Sequence, residues 1–273
     1  MRPTVAILGA GALGEILAGG LLRAGWSPDD LSLADRREER ASELTERLGV
    51  VCHLDPVLAA AGKRVVVVVV KPKDVPGLLE QIKDALDPGQ IVLSLAAGVP
   101  VSVYEKALGQ IAVVRGMPNT PALVDEAITA YAPGTHVSEE ALREVASVME
   151  AVGKTVMLDE QLMDAVTAVS GTGPAYVYLL AEALTDAAIR EGLPRHAAEL
   201  LVDQTLKGTG ALLAETALSP IKLRAQVTSP GGTTAAAVHV LEESGFRAAI
   251  EDAVRAAAER SREMGEAAAE VDS

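Results

Sequence analysis

Thr4-Val-Ala-Ile-Leu8 runs straight into Gly9-Ala-Gly11-Ala-Leu-Gly14, and the reading of this stretch decides the fold. A short β-branched run is a buried strand, and glycines at this spacing open a helix that continues from Ala12 to Ala24 and closes at Gly25. Gly9 permits the tight turn, Gly11 lets backbone approach a pyrophosphate, and Gly14 lets helix pack closely on strand. Ala10, Ala12 and Leu13 complete the loop. A second strand, Leu31–Ala34, ends in Asp35, near the spacing expected for the residue that contacts the adenosine ribose. The alternative is an ordinary strand-to-helix turn rich in small residues. The flanking strand and helix favour a dinucleotide site.

Outward from that turn, β-branched runs alternate with helical patterns up to about Asp159. Strands are expected at Gly49–His53, Val65–Val70, Ile91–Leu95, Ile111–Arg115, Ala127–Tyr131 and Lys154–Leu158. Helical stretches separate them, among them Arg37–Leu48, Asp74–Leu86 and a helix from the N-cap Ser138 to Gly153. This alternation is the pattern of a doubly wound parallel sheet. Beyond Asp159 the β pattern stops. Helices are expected at Glu160–Val169, Pro174–Glu191, Pro194–Ala217, Pro220–Gln226, Thr233–Glu243 and Phe246–Ala268, with a fraying end at 267–273. The fold class is therefore α/β, with a Rossmann-type domain at 1–159 and an all-α domain at 160–273. Several of these helices carry Ala and Leu on more than one face, which calls for burial on several sides. A dimer or larger assembly follows.

Composition narrows the partners. Hydrophobic residues make up 49% of the 273 residues, so core burial is not limiting. Aromatics are only 2%, with one Trp and one Phe, too few for a nucleic-acid stacking platform. A net charge of −14 repels phosphate backbones and anionic membranes. The valine run at Val65–Val70 is too short to span a bilayer, and the chain enters a strand without a leader pattern. Cys52, the single cysteine, excludes an intramolecular disulfide and a cysteine-based zinc cluster and fits a reducing, cytoplasmic setting. The four histidines lack metal-ligand spacing, and no serine sits on a nucleophile elbow. The expected partner is a small molecule, with no metal, nucleic acid or membrane.

The second half contains one interruption of chemical interest, Val227-Thr-Ser229-Pro-Gly231-Gly232-Thr233-Thr234. Pro230 removes a donor, the glycines free the backbone, and Thr233 and Thr234 stand at a helix mouth where N–H groups can cradle a small anion. A tight interhelical turn with a Thr N-cap is the plainer reading. Other candidates lie at strand ends, which face the ligand crevice of a doubly wound sheet. Val70, Lys71 and Pro72 follow the valine strand, where Lys71 either approaches the cofactor or simply ends the strand in solvent. Ala96 and Ala97, within Ser94-Leu-Ala-Ala-Gly98, suit a wall against a nicotinamide ring, or plain packing. Met117-Pro-Asn119-Thr-Pro121 presents Asn119 from a rigid segment, and Thr172 in Ser170-Gly-Thr-Gly-Pro-Ala-Tyr176 caps a helix or touches a ligand. His239 lies one turn beyond Thr234, as a packed or surface residue rather than a cleft residue.

The ordered set Gly9-Ala-Gly11, Val70-Lys-Pro72, Ala96-Ala-Gly98, Met117-Pro-Asn-Thr-Pro121, Ser170–Tyr176 and Ser229–Thr234 resembles the pyrroline-5-carboxylate reductases, from about Val5 to Met264. The resemblance implies reduction of L-1-pyrroline-5-carboxylate to L-proline by NAD(P)H. It implies an active site where a dinucleotide domain and a helical dimerisation domain meet, and dimers often assembled in a ring of five. It also implies that Ser229, Gly231, Gly232, Thr233 and Thr234 hold the substrate carboxylate and ring nitrogen, with Thr234 nearest the nitrogen and Thr172 a weaker catalytic candidate. An imine can arrive protonated, so positioning rather than a strong general acid is required. The absence of lysine from Glu160 to Gln204 suits an imine better than a ketone. A hydroxyacid dehydrogenase of similar architecture and a non-catalytic NAD(P)-binding redox sensor are the alternatives. Asp35 favours NADH, whereas Arg36 or Arg37 can pair a 2′-phosphate. NADPH, with appreciable NADH activity, is the expected cofactor.

Overall fold

The computed structural model describes residues 2–270, with side chains to 266. Its strands are β1 (Val5–Leu8), β2 (Leu31–Ala34), β3 (Cys52–His53), β4 (Val65–Val68), β5 (Ile91–Ser94), β6 (Ala112–Met117), β7 (Ala127–Pro133) and β8 (Gly153–Met157). They form one sheet in the order β3-β2-β1-β4-β5-β6-β7-β8. The chain builds outward from β1 through β2 to β3, then crosses to β4 on the other side of β1. That reversal opens a crevice at the carboxyl ends of β1 and β4.

Helices α1 (Ala12–Arg23), α2 (Glu38–Leu48), α3 (Pro56–Ala60), α4 (Val75–Ile82), α5 (Val101–Leu108) and α6 (Glu139–Glu150) cover the sheet. Alternate residues of each strand point to opposite faces. Val5, Ile7, Val65 and Val67 pack with Leu17 and Leu21 of α1, while Ala6, Leu8, Val66 and Val68 pack with Leu79 and Ile82 of α4. Burial on both faces explains why β4 is valine throughout. Each such side chain taken fully out of water contributes about 1.5–3 kcal/mol.

The structure alters the expected elements: β3 shortens to Cys52–His53, the helix from Asp74 gives way to a 3-10 turn at Lys83–Ala85, and three further changes stand out. The valine strand ends at Val68, because Val69 and Val70 turn to wall the crevice. The sheet is not wholly parallel: β7 runs antiparallel to β6. The connection Pro118–Glu126 between them holds only a short 3-10 turn and no crossover helix, which a parallel pairing would need. The helix expected at Glu160–Val169 is a 3-10 turn at Glu160–Leu162, a short α7 (Met163–Val166) and a wide π-type turn at Thr167–Gly171. Thr172 causes the widening locally, since its N–H and its hydroxyl both donate to the Thr167 carbonyl, at 2.8 and 3.0 Å.

Tertiary contacts divide the chain into two units. The first extends to Thr172 and includes the returning segment from Ala256; the second is Gly173–Arg255. The second unit comprises α8 (Gly173–Arg190), α9 (Arg195–Glu215), α10 (Pro220–Gln226), α11 (Thr233–Glu243) and the start of α12 (Phe246–Glu270). Only Ala198 and Val202 are buried on α9, while Leu179, Leu200 and Ile221 are 66%, 70% and 71% exposed. Such a surface is apolar beyond what one chain covers. Of the fraying end expected at 267–273, residues 267–270 instead continue α12, and residues 271–273 lie outside the described residues.

Candidate functional site

The glycine turn follows from its hydrogen bonds. Gly9 and Ala10 both donate to the Ala34 carbonyl, at 2.9 and 3.0 Å, so the turn is fastened to the end of β2. Gly9 has φ +108°, and a Cβ placed on it would lie 2.8 Å from the Val69 carbonyl oxygen. Gly14 packs directly on the Gly9 carbonyl. At Gly11 a Cβ would meet nothing within 4 Å. Gly11 is also the N-cap of α1, with no side chain satisfying the first N–H groups. The result is an uncovered helix start of the kind that binds pyrophosphate. Ala10 is fully buried, Ala12 is exposed, and Leu13 is half-buried against the core. Arg40 braces the loop through a bond from Nε to the Ala10 carbonyl and an ion pair with Glu15.

A groove of about 740 Å³ opens from this turn. Of the expected cofactor residues it brings together Gly9, Gly11, Asp35, Arg36, Val70 and Lys71. Arg37, Leu54, Pro56, Lys73, Asp74 and Gly77 also line it. Sequence reading passed over these except Arg37. Lys73 and Asp74 were accessible to the strand-end rule, since they follow Pro72 directly, but Leu54 and Gly77 carry no local signal. Pro72 itself starts a 3-10 turn, Pro72–Asp74, that shapes this wall.

The charges around Asp35 are specific. Its carboxylate accepts from the Arg37 N–H at 3.0 Å and from the Arg37 guanidinium at 3.1 and 3.2 Å. Burial raises the Asp35 carboxyl, but the bonds from Arg37 more than offset it, so its pKa falls below the ordinary value. Arg36 has an 86% exposed side chain and only a loose pairing with Asp74 at 3.8 Å. Cys52, nearby, has its thiol pushed up to about 11 by burial and by the Asp35 charge.

Three further loops follow strands of the same sheet. After β5, Ser94 donates to the hydroxyl of buried Tyr104 at 2.6 Å, Ala96 is buried, and Ala97 is partly exposed. After β6, Asn119 accepts from the Ile128 N–H at 3.1 Å and donates to the Ser170 carbonyl at 3.3 Å, so its amide ties three segments together. Thr172 spends its hydroxyl on Thr167. Ala96, Ala97, Asn119 and Pro72 do not line the groove described above.

In the second unit, Gly231 has φ +68°, Gly232 donates to the Ser229 carbonyl at 3.1 Å, and a Cβ on Gly232 would collide with Ser229 Oγ. Gly232, not a threonine, is the N-cap of α11, and no side chain caps it. The plainer reading of a Thr cap therefore fails: Thr233 and Thr234 lie inside the first turn. Neither of their hydroxyls has a protein partner among the described residues. Glycine backbone, an uncapped helix start and two spare hydroxyls can hold a carboxylate and a neighbouring nitrogen. His239 is exposed and pairs with Glu243 at 3.3 Å.

Residues 160–264 match the family described as pyrroline-5-carboxylate reductase dimerisation, and residues 4–98 match the coenzyme F420-dependent NADP oxidoreductases. The chain is 40% identical over 266 residues to pyrroline-5-carboxylate reductase of Corynebacterium melassecola, covering 96% of this chain and 98% of that protein. It is 39% identical over 263 residues to the reductase of Methanosarcina acetivorans, covering 96% and 97%. Among solved structures, a pyrroline-5-carboxylate reductase from Coxiella burnetii superposes with TM-score 0.92 at 35% identity, over 97% of this chain and 99% of that one. The Plasmodium falciparum pyrroline carboxylate reductase with NADP bound gives TM-score 0.86 at 29% identity, over 96% and 98%.

Proposed function

The chain belongs to the pyrroline-5-carboxylate reductases, and from that premise we propose which of its residues carry the reaction and which cofactor it prefers. It reduces L-1-pyrroline-5-carboxylate to L-proline in proline biosynthesis, with NAD(P)H as hydride donor. The observation that carries the reading of the site is the open helix start at Gly11, set at the reversal point of the sheet. Residues 1–159 serve the cofactor and 160–273 the substrate and subunit contacts.

A bound dihydronicotinamide supplies a hydride to the imine carbon. The chain has the remaining tasks. The Gly9–Gly14 turn takes the pyrophosphate, with Ala10, Ala12 and Leu13 setting its backbone, while Val70, Lys71 and Pro72 form the facing wall. Ala96, Ala97 and Asn119 stand towards the nicotinamide end. Ser229, Gly231, Gly232 and Thr233 hold the substrate carboxylate by backbone and hydroxyl donors. The Thr234 hydroxyl sits at the ring nitrogen, holding the proton that makes the carbon electrophilic. Thr172 acts mainly through the shape of its turn, because its hydroxyl is already engaged.

NADPH is the preferred donor, with appreciable NADH activity. Arg37 neutralises Asp35, and Arg36 remains available for a 2′-phosphate. Arg36→Ala is expected to raise the NADPH KM about tenfold, the value of one charge-assisted contact. Asp35→Ala is expected to raise the KM for NADH. Steady-state assays with both cofactors check this; an unchanged NADPH KM in Arg36→Ala with a sharply raised NADH KM in Asp35→Ala reverses the preference.

The exposed leucines of α8 and α9 support a homodimer, and a ring of five such dimers is what the resemblance implies. Light scattering at micromolar concentration should give a multiple of the 28.2 kDa chain mass, and a monodisperse monomer contradicts the assembly. Among the described residues no helix is long and apolar enough to cross a membrane, and the cytoplasm is the proposed setting. The function itself is tested by absorbance: NADPH or NADH is oxidised when pyrroline-5-carboxylate is added. Cofactor binding without turnover would leave the redox-sensor reading standing, and turnover with ketoacids the hydroxyacid reading.

A further inference from the structure

The last helix does something that neither the reaction nor the family assignment requires. Near its end, Gly265 packs on the loop that follows β5. A Cβ on Gly265 would lie 2.8 Å from the Gly98 carbonyl oxygen, and a Cβ on Gly98 would lie 3.4 Å from Met264 Cβ and 3.5 Å from the Gly265 nitrogen. Gly98 has φ +76°, so its backbone is already in a conformation that side chains rarely adopt. One turn earlier, buried Ser261 donates from Oγ to Asp164 on α7 at 2.6 Å. Residues four apart on a helix share a face, so Ser261 and Gly265 dock together.

The same loop is held elsewhere. Glu160 Oε1 accepts from the Val101 N–H at 2.7 Å and pairs with Arg115 at 3.3 Å. The Ala96 N–H reaches Ser94 Oγ at 3.4 Å. Of the short run Ala96–Val99, Ala97 is partly exposed while Ala96, Gly98 and Val99 are buried. Ala97 is thus the residue of the run left partly open, while the loop is fixed by two segments far apart in sequence, Glu160 and the last helix.

We propose that Gly265 and Ser261 are positioning residues for the hydride transfer: docking of the last helix on Gly98 sets the wall against which the nicotinamide ring rests. This rests on the reading that Ala96 and Ala97 form that wall. A bulkier residue at 265 cannot keep the close approach, so the wall shifts by a fraction of an ångström or more. Hydride transfer is sensitive to displacements of that size. The adenosine half of the cofactor, bound at the glycine turn and Asp35, lies outside the effect.

The experiment compares wild type with Gly265→Val and Ser261→Ala, using NADPH and, as a fragment lacking the ring, 2′-phospho-ADP-ribose. In Gly265→Val the NADPH KM should rise and kcat fall, each about tenfold. The deuterium isotope effect from the transferred position of NADPH should grow as hydride transfer limits turnover. The dissociation constant of the fragment, measured by calorimetry, should stay within about twofold of wild type. Ser261→Ala should show the same pattern in smaller degree, and it decides the matter alone if Gly265→Val does not fold. Equal weakening of fragment and NADPH reduces the contact to general stability and overturns the proposal, as do an unchanged KM and isotope effect in both variants. A wild-type protein without turnover removes the functional reading instead.

Discussion

Thr234→Ala lowers kcat for pyrroline-5-carboxylate about a hundredfold, the usual consequence of removing a group that holds a proton or developing charge at the reacting centre. The expectation rests on α11 being capped by Gly232, which leaves the threonine hydroxyl unused by the fold. A residue whose side chain does no structural work can be truncated without disturbing its surroundings. Melting temperature and NADPH affinity should therefore stay at wild-type values. Thr234→Ser retains the hydroxyl and should recover most of the activity. The measurement is kcat at saturating substrate for the three proteins. A wild-type kcat in the alanine variant removes Thr234 from the mechanism.

Gly9→Ala abolishes tight cofactor binding, raising the NADPH dissociation constant at least about tenfold. Gly9 has φ +108° and is pressed against the Val69 carbonyl, 2.8 Å from where a Cβ would stand, with Val70 Cγ1 at 2.9 Å. Neither obstacle is the far end of a flexible side chain; one is backbone and the other is a branched carbon beside it. The turn must move, and with it the start of α1. Backbone strain of this kind costs of order 1–3 kcal/mol, so the melting temperature should also fall by several degrees. Gly11→Ala is the informative contrast. Its Cβ enters open space, so stability is kept while the pyrophosphate is held off. Calorimetry with NADPH beside thermal melts separates the two. Normal NADPH binding by Gly9→Ala would mean that this turn is not the cradle.

Both residues were legible because their signals are local. A β-branched run ending in Gly9 and Gly11 states its own geometry, since Gly9 enters an angle that side chains rarely adopt and a missing Cβ at Gly11 leaves room for a phosphate. The β-branched runs of the strands and the stopping points of helices are likewise set by neighbours in the chain. This is why β1, β2, β5 and α1 lie close to where the sequence places them. The Asp35-Arg36-Arg37 run was legible as a conflict but not as an outcome. Which arginine turns towards the carboxylate depends on the backbone after β2, and Arg37 takes that role with two guanidinium bonds.

Long-range placement is where sequence reading stopped. The reversed direction of β7, the groove wall from Lys73 to Gly77, and the ties of Asn119 to Ile128 and Ser170 all arise from segments meeting across the sheet. The sequence by itself determined the α/β class, the glycine turn and the helical second half, because each follows from backbone sterics and the spacing of apolar residues, while the candidate substrate loop came from the resemblance. Only the tertiary structure decided that Gly232 rather than a threonine caps α11, that Arg37 neutralises Asp35, and that the last helix returns to Gly98. The return to Gly98 turns on a distance that no local pattern relates, while the other two turn on which of several neighbouring residues the folded backbone puts in place.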